Sequence, residues 1–452
     1  MVDGIMSNVV GVGRGKLKRE LNLVTLTAIM IGLNIGGSLF VLTAIAAGLT
    51  GPSLIIAQLI SALPILLALV PYLMLTSVVP TTCANYQYAK LFSPPLAVAA
   101  WWGLFVAIPI GALPLFAIAT AKLLLVLMPG LPVIGTAIII MTLFFLLNVA
   151  GVKAAAYVQL GTVVLLLLAL VTFIIPGIPA IEARNLTPMF TGGAMGLIAA
   201  SAILYTLLAG GLFGIELGDE VKNARSTIPR ALVISISIAM ALYLLIELAA
   251  VGVIDWRVFA AGGTLGTPAE AFLSTPLLDF FIIGGGILAA TTTINLILTA
   301  AGRYVLVSAE DRLFPRFFSN INRRFGTPHW GLTLAYVLSV VTLLINPPLE
   351  TLAAMLNFGL LFMVTLVLLA AFRLPKTHPG VYENAKFKFG RKTLAVTSLA
   401  AVVINVFFML ILTVALPVAA LIFASALVIG IVIYFLRKRQ TGSTPVNLIL
   451  DE

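Results

Sequence analysis

Asn34, Gly36, Gly37 and Ser38 stand together in the first long apolar run, Ile31-Gly-Leu-Asn-Ile-Gly-Gly-Ser-Leu-Phe40, where a membrane helix ordinarily carries leucine or isoleucine. Glycine inside a helix costs about 1 kcal/mol relative to alanine, so this spacing predicts that the helix opens here. Backbone groups freed at bilayer depth persist only where they line a polar cavity or find a partner within the protein. The chemistry on offer is main-chain recognition. N–H groups that begin a second half-helix carry about half a positive charge and suit a carboxylate, with Gly36, Gly37 and the Ser38 hydroxyl as donors. Carbonyls ending the first halves, around Ile31, Gly32 and Leu33 and from Leu207 through Leu208 to Gly210, would accept from an ammonium. An α-amino acid zwitterion fits such a site without any charged side chain. Asn34 lies inside the break, where it either contacts this ligand or caps the first half-helix. A second glycine run, Leu208-Ala-Gly-Gly-Leu-Phe-Gly214, follows five apolar segments later and includes Gly211. The plainer reading of both runs is close helix packing through small residues. Tyr205, Phe213 and residues near Ile108 are candidates for side-chain selectivity, or are core.

The elements that must position these residues follow from composition. With 61% hydrophobic and 9% charged residues among 452, and a mean hydropathy of +1.17, the chain has more apolar surface than a water-soluble domain can hide. It reads as an all-α polytopic membrane protein. Twelve stretches are long enough to cross about 30 Å of hydrocarbon: 22–48, 54–78, 96–127, 133–150, 155–176, 192–218, 230–253, 279–305, 330–346, 350–372, 393–416 and 418–436. Residues 1–20 form a polar, basic leading segment with no cleavable signal pattern, and 437–452 a tail. With the N-terminus placed inside, only Lys122, Arg184 and Arg257 of the 26 Lys and Arg residues fall on the far face, leaving 23 on the cytoplasmic side. That bias sets both termini in the cytoplasm and explains the net charge of +10 without nucleic acid. Cys83 is a lone cysteine, and His329 and His378 fall in predicted loops, so neither a cysteine metal cluster nor an intramembrane histidine relay is available. Because five helices separate the two glycine runs, a repeat relating them must be inverted.

Several stretches resemble the amino acid–polyamine–organocation permease family. Ile35-Gly-Gly-Ser-Leu-Phe40 is similar to its Ile-Gly-Ser-Gly-Ile-Phe signature, and Pro80-Thr-Thr-Cys-Ala-Asn-Tyr86 to its Pro-x-x-Gly-Gly-x-Tyr element. Asn148-Val-Ala-Gly-Val-Lys153 and Glu220-Val-Lys-Asn-Ala-Arg-Ser-Thr-Ile-Pro-Arg-Ala231 match further loops, as does Arg303 through Pro315 with Thr327-Pro328. The resemblance implies a leucine-transporter-type fold, an inverted repeat of five plus five helices. Helices one to five lie at about 22–176 and six to ten at about 192–372, within a core of 21–376. Residues 377–436 supply a loop and two further helices, read as lipid-facing packing or an oligomer contact. The sequence departs from the family in places. Serine and glycine are exchanged in the first signature, and Cys83-Ala84 replaces the Gly-Gly. The family's Gly-Phe-Glu aligns with Gly210-Gly211-Leu212, or with Phe213-Gly-Ile-Glu216 after a four-residue deletion.

Ion coupling follows from the same resemblance. The helix-five lysine of proton-coupled members is Leu166 here, while Thr292 and Thr293 align with hydroxyl ligands of sodium-coupled relatives. With the carbonyls of Gly32, Ile35 and Ala289 they would make a five-oxygen sodium site, oxygen being the ligand hard cations prefer. Threonines in membrane helices also simply bond their own i−4 carbonyls. Proton coupling through a carboxylate is the rival, and Glu216 and Glu247 are the intramembrane carboxylates. Glu216 is placed near the cavity as a substrate or proton site, or else pairs with a polar neighbour; Glu247, nearer the outer end of helix seven, is expected to bond loop backbone. Lys222, Arg230, Arg303, Glu220, Glu310 and Asp311 are expected to pair at the inner gate, or to anchor loops. The chain therefore reads as a plasma-membrane permease for small neutral amino acids, a sodium or proton symporter needing no cofactor. A polyamine or cationic amino acid exchanger is the alternative, and a membrane amino acid sensor is the alternative of another class. No nucleophile–base pair or metal cluster supports an enzyme. Oligomeric state is left open.

Overall fold

The computed structural model describes residues 19–81, 83–150, 156–310, 313–322, 325 and 327–441, which are helical with no strand among them. Among these residues nine helical stretches are long and apolar enough to cross a membrane, the first of them, Leu23–Val78, holding two segments, and two shorter apolar helices accompany them. The protein is a multi-pass membrane protein. In hydrocarbon a backbone must satisfy its own hydrogen bonds, and the uninterrupted Leu, Ile, Val and Ala runs do so as helices.

In chain order the segments are one (Leu23–Asn34 and Gly37–Thr50), two (Leu54–Val78), three (Pro94–Leu127), four (Val133–Val149), five (Ala156–Gly177) and six (Gly193–Phe213). Seven (Ala224–Val253), eight (Thr275–Leu306), nine (His329–Ile345), ten (Leu349–Thr377), eleven (Arg391–Ala415) and twelve (Pro417–Thr441) follow. Proline and glycine shape two of them. Segment three widens into a π-type turn over Ile108–Ala112 around Pro109, because proline removes a ladder donor. Segment eight widens over Phe281–Ile287, where Gly285 and Gly286 come up against the Phe40 ring.

Segments three and ten are 89% buried over their most apolar windows and segment six 83%, against 28% for eleven and twelve, so the first three form the interior. Segment eleven nevertheless presents more than a lipid face. Ser398, Ala401, Asn405, Phe408 and Leu412, spaced at three and four, are buried against segments two, six and ten. Asn405 Nδ2 donates to Thr365 Oγ1 at 3.3 Å. Only its other side, where Val396, Val403 and Leu410 are exposed, is open to the expected lipid or oligomer contact.

Backbone hydrogen bonds hold segment one on both sides of its middle. At the N-terminal end, Glu20 and Leu21 N–H donate to the Glu220 carbonyl at 3.0 Å and Lys222 N–H to that of Leu21 at 2.8 Å, forming a bridge between Leu21 and Val221. In its second half, Phe40 accepts the Leu265 N–H at 2.9 Å. Among the described residues no ion pair joins Lys222, Arg230, Arg303 and Glu220. Asp311, Lys153 and the Glu310 side chain lie outside the described residues. Main-chain pairing joins this end of segment one to the Glu220–Lys222 stretch, and the ion pairs expected with Glu310 and Asp311 fall outside the described residues.

Candidate functional site

Segment one breaks where its glycines predict. A capping box starts it, with Thr25 N–H on Asn22 Oδ1 at 3.0 Å and Asn22 N–H on Thr25 Oγ1 at 2.9 Å. Its first half closes with Ile35 N–H on the Ile31 carbonyl at 2.7 Å. Gly36 is then extended (φ −79°, ψ −163°) and Gly37 starts the second half. Apart from that closing bond, the carbonyls that end the first half and the N–H groups that begin the second fall outside the helical ladder. Gly37 N–H reaches Thr293 Oγ1 at 3.4 Å, and the Ser38 hydroxyl turns back to the Asn34 carbonyl at 3.4 Å.

Asn34 fills the break. It is fully buried, and its Oδ1 accepts the Gly211 N–H at 2.5 Å. That bond fixes the amide orientation and turns Nδ2 away, where it has no hydrogen-bond partner among the described residues. An unpaired buried donor costs about 1–3 kcal/mol, a cost that a bound acceptor would relieve.

The expected second opening is displaced. Segment six continues as α-helix through Phe213 and only then tightens into a 3-10 turn at Gly214–Glu216. The glycines serve close approach instead. A Cβ on Gly210 would overlap the Leu33 carbonyl, and one on Gly211 would lie 2.8 Å from Asn34 Nδ2. The Leu207, Leu208 and Gly210 carbonyls stay within the helix, and Leu207 also accepts the Tyr243 hydroxyl at 3.1 Å.

Segment eight supplies the other wall. Ala290 abuts Gly37, and both Thr293 Oγ1 and the Gly32 carbonyl lie beside Gly36. Thr293 donates to the Ala289 carbonyl at 2.8 Å, and Thr292 to those of Leu288 and Ala289 at 2.9 and 3.0 Å. The structure therefore gathers oxygens of segments one and eight around Gly36, with both hydroxyls on their own helix. Ile35 is buried beside them. On segment three it is Phe116 that reaches Gly37, while Ile108 sits in the wide turn about two helical turns away. Tyr205 is buried and set beside Tyr72 and Asn405, away from the break. Leu208 is buried, and Phe213 is half-buried.

Glu216 belongs to a different structure. Five residues beyond Gly211, about 7.5 Å at 1.5 Å per residue, its Oε1 accepts Asn85 Nδ2 at 2.7 Å and Asn85 N–H at 3.2 Å. Asn85 in turn accepts Tyr72 Oη–H at 2.6 Å and donates to the Leu212 carbonyl at 3.2 Å. The carboxylate thus caps the N-terminus of a short helix, Ala84–Phe92, a favourable position for negative charge. Glu216→Ala strands the Asn85 donors and is expected to destabilise the protein by about 1.5–3 kcal/mol, seen as a lower unfolding temperature in detergent. One turn on, Tyr88 donates to the Val79 carbonyl at 2.5 Å. Burial, with Glu216 and Asp219 nearby, pushes its hydroxyl well above the usual phenol range, so this donor stays protonated in alkaline solution. Cys83 caps the same helix at φ +55°, a left-handed conformation that costs a side chain about 1–2 kcal/mol. Cys83→Gly is expected to raise the unfolding temperature.

Sequence reasoning missed Asn85, Tyr243 and Asn357. Asn357 Oδ1 accepts Thr206 Oγ1–H at 2.6 Å and its Nδ2 donates to the Ile203 carbonyl at 3.1 Å, tying segment ten to six. The available signal was a lone amide within Met355-Leu-Asn-Phe358.

The sequence profile of the family described as "Amino acid permease" matches residues 21–435. The chain belongs to the amino acid permease family. The permease is 26% identical over 446 residues to the methylthioribose transporter of Bacillus subtilis (strain 168), covering 94% of each chain. It is 27% identical over 463 residues to the branched-chain amino acid permease BcaP of the same organism, covering 95% of each. Cationic amino acid transporter 2, vacuolar, of Arabidopsis thaliana is 25% identical over 382 residues, 78% of the permease and 59% of that protein.

Proposed function

We propose that the permease is a secondary active transporter of small neutral amino acids, working by alternating access and coupled to sodium or protons. It crosses the plasma membrane twelve times with both termini in the cytoplasm, so the Leu21 end is the inner one. Segments one to five and six to ten form the inverted repeat within 21–376. The observation that carries the reading is Asn34. A fully buried amide with a spare N–H pair stands at the opening of an interrupted helix, beside the N-terminus of its second half. A carboxylate there would gain Asn34 Nδ2, the Ser38 N–H and the Gly37 N–H now held at 3.4 Å by Thr293; the first-half carbonyls would take the ammonium.

A diamine or cationic side chain needs a carboxylate at the break, and the bonding of Glu216 to Asn85 weighs against that reading. The branched-chain permease supports a neutral zwitterion; the methylthioribose transporter raises a neutral sugar as the competing substrate. For sodium, the oxygens of Gly32, Ile35, Ala289, Thr292 and Thr293 are the proposed ligands. Should stabilisation by substrate depend on sodium, Thr293→Val is expected to abolish that dependence, with a smaller fall in the unfolding temperature without substrate because the Gly37 N–H loses its acceptor.

The test is thermal unfolding of the detergent-purified permease with alanine, leucine, lysine, putrescine or methylthioribose, each in sodium and in potassium, paired with uptake into proteoliposomes. Ligands that bind only the folded state raise its stability by mass action. Stabilisation and uptake with alanine or leucine are expected. A response to putrescine alone, or to methylthioribose alone, overturns the substrate assignment, and binding without uptake assigns a sensor.

A further inference from the structure

Glu247 is left unexplained by the substrate site. It lies on segment seven, is fully buried, and both carboxylate oxygens lack a hydrogen-bond partner among the described residues. The loop bonding expected from sequence is absent. The Gly252 carbonyl, one turn on, takes the loop donors, Glu182 N–H and Asn185 Nδ2, both at 2.9 Å.

A second oxygen shares the predicament. Gln58 on segment two is fully buried, its Nε2 donates to Ser61 Oγ at 3.1 Å, and its Oε1 has no donor among the described residues. The two segments pack along each other, and their far ends meet the same loop. Gly51–Ser53 touches segment seven and the turn at Ala183–Leu186, and Ser53 N–H donates to the Met189 carbonyl at 3.0 Å. Gln58 is five residues in from Ser53 and Glu247 five in from Gly252, each about 7.5 Å at 1.5 Å per residue. Two buried acceptors short of a donor therefore lie on two helices that pack on each other. A proton on the Glu247 carboxyl neutralises it and turns one of its oxygens into a donor.

No fixed cation stands in for it. Among the described residues of segments one, two, five and six, which pack on segment seven, the spans hold no cation, and their one charged side chain is Glu216 at the inner end of six, which accepts from Asn85 through Oε1 and has no partner at Oε2. The turn Gly218–Glu220, which also touches segment seven, adds Asp219 and Glu220. Of the tyrosines there, Tyr72 bonds Asn85, and Tyr205, beside Asn405, has a hydroxyl with no partner among the described residues. Tyr243, one turn away on the same helix, gives its hydroxyl to Leu207. On the far-end elements Glu182, Arg184, Asp255, Arg257 and Glu270 are exposed, and the first four pair with one another across two residues. An ionised carboxylate left unpaired in such a setting costs several kcal/mol.

We propose that Glu247 is the proton-binding residue of the permease. It takes up one proton from solution to form the neutral carboxylic acid held in this closed conformation, and returns it when the permease opens. The assignment rests on the transport reading above and names protons as the coupling ion.

Two measurements on the full chain test it. In proteoliposomes, Glu247→Gln is expected to retain exchange of internal for external labelled substrate while losing accumulation driven by an inward proton gradient. By infrared spectroscopy of the purified protein, the wild type is expected to show a carboxylic C=O band, shifted in deuterium oxide, that the variant lacks. Gradient-driven accumulation by Glu247→Gln overturns the proposal, as does a band that survives the substitution. A variant that neither exchanges nor accumulates is decided by Glu247→Asp, which must restore both. If the wild type transports none of the tested substrates the transport reading fails, and the infrared band still decides whether Glu247 holds a proton.

Discussion

Gly37→Ala is expected to abolish uptake while the protein still reaches the membrane. Its Cβ would stand 2.8 Å from both Cα and Cβ of Ala290 and 3.5 Å from the Phe116 ring. Backbone on one side and an aromatic on the other leave little room to yield, and overpacking of this kind costs about 1–3 kcal/mol. The cost falls on the joint between the two halves of segment one, so activity suffers more than folding does. Ala290→Gly removes one of the two clashing atoms and is expected to recover part of the uptake in the double variant. Gly161→Ala provides the contrast. A Cβ there meets nothing within 4 Å, and alanine is the better helix former by about 1 kcal/mol, so that variant is expected to transport normally and unfold at a higher temperature.

The second large effect is at Asn34, where two substitutions separate structure from binding. Asn34→Ala removes the acceptor for the Gly211 N–H and leaves that donor buried, for a loss of about 1–3 kcal/mol. Both stability and uptake are expected to fall. Asn34→Asp keeps the acceptor and removes the spare N–H pair, placing negative charge where a carboxylate would bind. An ionised carboxylate buried here also costs stability, so the readout is the shift that leucine adds to the variant's own unfolding temperature, and that shift is expected to disappear. If Asn34→Asp binds leucine as the wild type does, Asn34 is a helix cap alone.

The break at Ile35–Gly36 was legible because glycine and asparagine are out of place in a membrane helix. Gly210 and Gly211 look the same in sequence, yet their segment stays helical, since what they accommodate is Leu33 and Asn34 packed against them. Composition registers missing side chains but not whether the space is taken by ligand or by a neighbouring backbone. The family's glycine at Cys83 has its reason in the φ of +55° found there. Glu216 reads as a site residue because a carboxylate at membrane depth is a functional candidate; that it pairs with a polar neighbour is legible only as an alternative, since Asn85 is 131 residues away and pairing across that distance is a property of the packed helices. Segment eleven carried a readable stripe in Ser398, Ala401, Asn405, Phe408 and Leu412, whose spacing marks one buried face.

Segment one is held on both sides of its break, Leu21 pairing with Val221 before it and the Phe40 carbonyl accepting the Leu265 N–H four residues after Gly36. In the transport cycle proposed above, a straight rod tilted far enough to release one of these contacts would lever against the other. An interruption between them would let one half tilt while the other stays bonded. Keeping one side fastened while the other lets go would then rest on two residues, Ile35 and Gly36, that make neither contact.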